Sequence, residues 1–311
     1  PSLQRTFGYT LEDLQIVMEP MAVTGAEAIG SMGNDTPLAV LSGRPQLLFN
    51  YFKQLFAQVS NPPLDAIREE LVTSLEAFIG SEQNLFGETP EHSHQLRLKQ
   101  PILTNAELEK IRNISVGKMK AFTCSTLFDI QEGQGSLERA LEELCRQASA
   151  AVEVGNTIII LSDRGVDAQH APIPSLLATA AVHHHLIREG TRTKVGLVVE
   201  SGEPREVMHF ALLIGYGAGA INPYLAFEIL HDLADRGIPL GHVDAYNAEK
   251  NFIKAVGKGV LKVMSKMGIS TVQSYRGAQI FEAVGLNREL VDRYFTWTSS
   301  RIQGIGVETI E

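Results

Sequence analysis

The sequence predicts an α/β fold, built from repeated βα units around a largely parallel sheet. Two observations carry this prediction. Apolar, β-branched runs at 157–161 and 195–199 each feed a polar turn and then a long helical pattern. That alternation demands a parallel sheet covered by helices. The composition agrees: 311 residues, 44% hydrophobic and 20% charged, are ordinary for a globular chain. This length suits one large α/β domain or two small ones.

From residue 119 onward the βα rhythm can be followed unit by unit. Strands are expected at 119–127, 157–162, 194–200, 218–221 and 269–273. Helices are expected at 136–154, 173–189, 204–215, 223–236, 246–267 and 276–284. The first helix opens at Ser136 with Glu138 in its first turn, where a carboxylate suits the positive helix start. Five strands are fewer than the eight of a closed barrel, so closure does not follow from the pattern.

Residues 1–118 read as a helical, loop-rich entry segment packed on the βα-repeat domain of 119–311. Thr10 is placed to cap a helix carrying Leu11, Leu14 and Val17, ending near Glu19 and Pro20. A turn-rich loop is expected at 30–35. An amphipathic helix is expected at 47–56, with Leu47, Phe49, Phe52, Leu55 and Phe56 at spacings near three and four. These phenylalanines are either core or a sticky docking face. Asn61, Pro62 and Pro63 break the pattern, because consecutive prolines impose extended backbone. Asp65 opens another helix, and Thr104 or Asn105 caps a third.

Charge and cysteine content exclude several classes. The net charge of −9, with no Lys/Arg cluster, argues against a nucleic-acid or anionic-membrane surface. No run approaches the ~18 apolar residues of a membrane span, and no signal peptide is recognisable. Cys124 and Cys145, far apart in sequence, suit reduced thiols rather than a disulfide scaffold. The expectation is a soluble intracellular protein.

The polar residues that follow each strand form the candidate site, since ligands of α/β folds bind at the strands' carboxyl ends. Asp163 and Arg164, with Asp167 and His170, are the best polar cluster; Glu200, Glu203 and Arg205 follow the next strand. Either these residues bind a small anion or transfer protons, or they are ion pairs and caps that fix the loops. The three consecutive histidines, His183, His184 and His185, point about 100° apart on a helix and cannot converge on one metal ion. They read as packing or surface hydrogen bonding, with one available to a neighbouring domain. Gly215, Gly217 and Gly219 mimic a dinucleotide loop, but a helix precedes them and a strand follows, the reverse of what that fingerprint needs. They read as a glycine helix end. Cys124, on an expected strand, reads as a small core residue.

Three stretches carry a resemblance to a known family. SDRGVDAQHAPIPSLLATAAVHHHLI, VGLVVESGEPREVMHFALLIGYGAGAINPYLAFE and KGVLKVMSKMGISTVQSYRGAQIFEAVGL resemble the central domain of glutamate synthase. LFNYFKQLFAQVSNPPLDAIREELV resembles the same domain's entry segment. The resemblance runs from about Phe7 to Arg301, and its wording is nearer the ferredoxin-dependent type. It implies a degenerate, incomplete (β/α) barrel, a piece of a much larger polypeptide. It also implies a parent with a glutamine amidotransferase domain, an internal ammonia tunnel and an FMN-binding synthase domain. Ferredoxin would be the parent's electron donor, and the bacterial cytoplasm or plastid stroma its location.

The family's reactive equipment is absent from these residues. Its amidotransferase nucleophile is a chain-terminal cysteine, whereas this sequence starts at Pro1. Its 3Fe-4S cluster takes three closely spaced cysteines, and only two distant ones are present. The implied role is therefore connecting rather than catalytic, with no cofactor in this chain. Ser60 and Asn61, polar and just before the stiff double proline, are the expected tunnel-lining residues; the alternative is that Asn61 caps a turn. The rival reading is a free-standing (β/α) enzyme or small-anion binder using Asp163, Arg164 and Glu200.

Overall fold

The structure is a computed structural model and describes residues 2–28, 36–55, 57–237, 240 and 242–311. The expected loop at 30–35 lies outside them, as does Phe56. At its centre lie four parallel strands in sequence order, Met119–Ser125, Ile158–Ser162, Gly196–Glu200 and Ala220–Asn222. Ile158 pairs with Ala121 on one side and with Gly196 on the other, which sets one register across the sheet. Strands Ile158–Ser162 and Gly196–Glu200 are buried at every position, as expected of parallel strands covered on both faces.

One face packs against helices. Ile159, Leu161, Leu197 and Val199 join a core shared with Leu137, Leu141 and Leu144 of helix Ser136–Glu153 and with Leu177 and Ala181 of helix Ser175–Arg188. The other face carries Ile158, Ile160, Val198 and Ala220, and the N-terminal region covers it with Ile79, Leu103, Leu108 and Ile111. The chain path explains this cover. Leu103 N–H donates to the Ile221 carbonyl at 2.9 Å, and Ile102 forms a parallel bridge to Ile221 at one edge of the sheet. Helix Asn105–Arg112 then crosses the sheet face, and Ser115–Val116 pairs antiparallel with Met119–Ser125 at the opposite edge. Thr104 and Glu107 form a reciprocal capping box that fixes where this helix starts. No closed barrel forms among the described residues, because a helix and its apolar side chains fill the face a barrel would enclose.

Four of the five expected strands and the first five expected helices lie where their periodicity placed them, within a few residues. The C-terminal unit differs. The strand expected at 269–273 is instead a turn into helix Val272–Tyr275, because Thr271 Oγ1 accepts the Ser274 N–H and caps it. The helix expected at 276–284 is strand Phe281–Leu286, preceded by left-handed backbone at Gly277 and Gln279. Helix Arg288–Tyr294 and parallel strand Ser299–Ile305 complete a further βαβ unit that the periodicity did not reveal.

The N-terminal region is mixed rather than helical. Where a helix was expected at 47–56, the described residues 47–55 hold a 3₁₀ turn, Leu48–Tyr51, and strand Phe52–Gln54, which pairs antiparallel with Phe281–Leu286. Tertiary pairing overrides the helical spacing there, and Phe49 and Phe52 are core, both 2% exposed. The first helix also does not stop at Pro20. It widens to π geometry over Asp13–Met18 and continues as Glu19–Thr24, ending at left-handed Gly25. The proline sits in the first turn of that continuation, where its missing N–H costs least. Short strands Ala77–Ile79 and Leu96–Leu98 form a separate antiparallel pair. Asp65 caps helix Ala66–Val72 as expected, its Oδ1 accepting the Ile67 and Arg68 N–H groups.

Candidate functional site

The carboxyl ends of the central strands hold two polar clusters. The outer one is built on Glu200, the last residue of its strand and 2% exposed. Its Oε2 accepts from Ser162 Oγ at 2.5 Å and Arg112 Nη2 at 2.7 Å, and its Oε1 accepts from Arg164 Nε at 2.5 Å. Arg164 also pairs with Glu228 at 3.2 Å and lies 4.0 Å over the Tyr224 ring. Arg112 donates further to Glu109 and Thr123. Burial pushes the Glu200 pKa upward, but the Ser162, Arg112 and Arg164 hydrogen bonds outweigh it and hold the pKa below the ordinary value. The carboxylate is therefore ionised and saturated with donors.

The inner cluster is built on Asp163, which lies between Ser162 and Arg164 in the chain yet faces away from their partner Glu200. It is 1% exposed, accepts the Gly202 N–H at 3.1 Å, and receives the Ser201 and Tyr224 hydroxyls. Burial, with the nearby Glu203 carboxylate adding to it, raises its pKa to about 7 against these stabilising donors. Glu203 Oε2 accepts the Ser175 N–H at 2.7 Å and Ser175 Oγ at 2.5 Å, capping the start of helix Ser175–Arg188 from a distant loop. Arg205, 3% exposed, donates to the carbonyls of Phe7 and Gly8, lies 4.2 Å over the Tyr9 ring and pairs with Asp13 at 3.2 Å. Tyr9 donates to the Gly202 carbonyl at 2.9 Å. A Cβ on Gly202 would meet the Phe7 ring at 2.5 Å, so the N-terminal residues close directly over this strand end.

The expected cluster of Asp163, Arg164, Asp167 and His170 is therefore not one site. Arg164 belongs with Glu200, and Asp163 belongs with Tyr224 and Ser201. Asp167 and His170 form a separate, exposed turn, with His170 Nδ1 2.9 Å from Asp167 Oδ1. Arg112, Glu228, Tyr9 and Tyr224 escaped the sequence reading. Tyr224 was open to it, since it follows the Ala220–Asn222 strand end just as Asp163 follows Ser162, and Glu228 lies one helical turn beyond. Arg112 left no such signal, because only the crossing of its helix brings it to Glu200. An anion binder needs a free cation here, whereas Arg112 and Arg164 both spend their charge on Glu200.

Asn61 closes a turn: its Oδ1 accepts the Gln58 N–H at 2.8 Å, and its N–H donates to the Gln58 carbonyl. Ser60 beside it is exposed. The three histidines diverge as their helical positions require. His183 Nδ1 accepts from Arg192 at 2.8 Å, His185 Nε2 lies 2.8 Å from Ser149 Oγ, and His184 faces a cavity. Gly217, with φ of +119°, follows helix Val207–Gly215 and returns its N–H to the Ile214 carbonyl, which is the glycine helix end the order of elements suggested.

The residues fit neither cofactor of the resembled family. Cys124 is buried in a strand with its pKa raised to about 12 by burial, and Cys145 lies on a helix with its own raised to about 11. Two separated thiols of this kind cannot provide a cluster's three thiolates. No group of three or more His, Cys, Asp or Glu among the described residues converges to hold a metal. The strand ends offer no open phosphate cradle, being filled by Phe7, Tyr9 and the paired charges. No helix among the described residues is long and apolar enough to cross a membrane.

Comparison with known proteins agrees with the resemblance. The chain is 50% identical over 308 residues to the large chain of an NADPH glutamate synthase from Bacillus subtilis, covering 99% of this chain and 20% of that one. It is 45% identical over 320 residues to ferredoxin-dependent glutamate synthase 2 of Synechocystis, again covering 99% and 20%. It spans about a fifth of each of these relatives. Among solved structures, the flavin-binding domain of baker's yeast flavocytochrome b2 is a distant likeness, with a TM-score of 0.34 at 15% identity over 44% of this chain and 32% of that one. The family model for the glutamate synthase central domain matches residues 2–287, and the chain belongs to that family.

Proposed function

We propose that this chain is the connecting domain of a larger glutamate synthase, lying between its glutamine amidotransferase domain and its FMN-binding synthase domain. One observation carries the reading. The strand ends, where an α/β enzyme would work, hold a carboxylate saturated by two arginines and a buried acid sealed under Phe7 and Tyr9. That arrangement has the character of scaffolding. The parent would hydrolyse glutamine in one domain, carry ammonia through an internal tunnel and use it with FMN and a 3Fe-4S cluster held elsewhere to make glutamate from 2-oxoglutarate. Ferredoxin is our reading of the electron donor, supported by the Synechocystis relative; the Bacillus relative is named for NADPH, so an assay must offer both. The cytoplasm, or a plastid stroma, is the location consistent with that chemistry.

Within this reading Ser60 and Asn61 line part of the ammonia path. Their polar groups stand on a turn stiffened by Pro62 and Pro63, packed near Gly268. The test is Asn61→Leu in the intact parent synthase. Glutamine should then be hydrolysed faster than glutamate forms, while added ammonia still supports synthesis. A one-to-one ratio in a well-folded variant would assign Asn61 to its turn alone.

A further inference from the structure

A second concave site lies at the opposite end of the helices from the polar clusters. A cavity of about 260 Å³ opens between the C-terminal turns of helices Ser175–Arg188 and Val207–Gly215 and the loop before strand Ser299–Ile305. Tyr216, Ile280 and Phe281 form an apolar floor, and Trp297, 79% exposed, stands at the mouth. Only two non-glycine residues with positive φ occur among the described residues, Gln279 at 56° and Trp297 at 68°. Both line this cavity. Left-handed backbone costs energy outside glycine and gathers where a site demands a particular shape.

The polar groups around the cavity have a definite chemistry. Arg188 is tethered at the rim by its Nη1 hydrogen bonds to the Arg293 carbonyl and Thr296 Oγ1. It has no carboxylate partner within ion-pair distance among the described residues, unlike Arg112 and Arg164. His183 and His184 are neutral: burial, helped by neighbouring arginines, lowers their pKa values to about 2 and about 4. His183 Nδ1 accepts from Arg192, so its proton sits on Nε2 as a donor. The wall thus offers donors and one uncompensated cation around an aromatic floor.

We propose that this cavity binds a small planar aromatic molecule carrying a single anionic group, its ring against Trp297 and Phe281 and its anion at Arg188. The volume of about 260 Å³, just below the usual range of drug-sized pockets, suits two or three rings. Stacking on aromatic faces and a charge-assisted bond from a tethered guanidinium are the two contacts the geometry supplies. This site stands apart from the connecting role proposed above.

Trp297 is the sole tryptophan of the sequence, so its fluorescence reports on this site alone. The 311-residue chain is titrated with 8-anilinonaphthalene-1-sulfonate, and in parallel with uncharged N-phenyl-1-naphthylamine. The sulfonate should bind at one saturable site with energy transfer from Trp297. Arg188→Gln should weaken it about tenfold while changing the uncharged analogue by less than about twofold. Trp297→Ala, followed by the probe's own emission, should weaken both probes. Phe86→Ser, on a fully exposed surface residue elsewhere, should change neither. Non-saturable binding, binding without energy transfer, or equal sulfonate affinity in Arg188→Gln at unchanged melting temperature would each overturn the proposal.

Discussion

Asp163→Asn should flatten the pH dependence of stability, and its size follows from one buried carboxyl. The folded pKa is about 7, against an ordinary value of 3.8, chiefly because burial disfavours the charged form. The folded state then holds a proton that the unfolded state has already released. Stability contributed by the neutral acid is complete below the unfolded pKa and is lost as pH rises toward the folded one. The loss accrues at about 1.4 kcal/mol per pH unit across that window. Between pH 5 and 8 it amounts to about 2.5 kcal/mol, most of it gone by pH 7. The substituted amide cannot ionise, yet it keeps an acceptor for the Gly202 N–H and the Ser201 and Tyr224 hydroxyls. Glu203, raised by burial, adds a slope of the same sign in both proteins, so the difference between them isolates Asp163. Urea denaturation at pH 5, 6, 7 and 8 should show the variant gaining on the wild type up to about pH 7 and little beyond it. Parallel curves for the two proteins would mean that Asp163 is ionised throughout and that water or a donor compensates its burial.

Two further outcomes test the packing around the site. Gly217→Ala should cost about 3 kcal/mol, because the backbone is at φ +119° and the new methyl would overlap the His183 ring held by Arg192. Gly155→Ala, at φ +86° with open space around it, should cost only the backbone strain, about 1 kcal/mol; equal losses in chemical denaturation would refute the overlap. Glu200→Gln should cost about 2 kcal/mol at neutral pH, less than a fully buried pair, because Arg112 and Arg164 can turn toward water. Since the Glu200 pKa is held below its ordinary 4.5, the wild type's advantage should be present above that value and vanish as pH falls beneath it. An advantage that persists at pH 2 would place the effect in packing rather than charge.

The βα rhythm from residue 119 to residue 266 is legible in the order of amino acids alone, because buried strands of isoleucine, valine and leucine and long amphipathic helices are written in local periodicity. So are the points where Asp65, Thr104 and the Gly217 turn punctuate the chain, since caps and glycine turns depend on neighbours in sequence. The family was legible for the same reason, in long runs that any related chain shares. The remainder depends on contacts between distant segments. Residues 47–56 have helical spacing, but an edge of strand Phe281–Leu286 was open to them, and pairing outweighed propensity. The fate of Asp163 and Arg164 could not be read from their adjacency, because successive residues after a strand face opposite sides and meet partners from Tyr9 to Glu228. Arg112 reaches Glu200 only because its helix crosses the open face of the sheet, a long-range fact with no local signature. Local periodicity records which faces are buried; only the folded chain settles what each face is buried against.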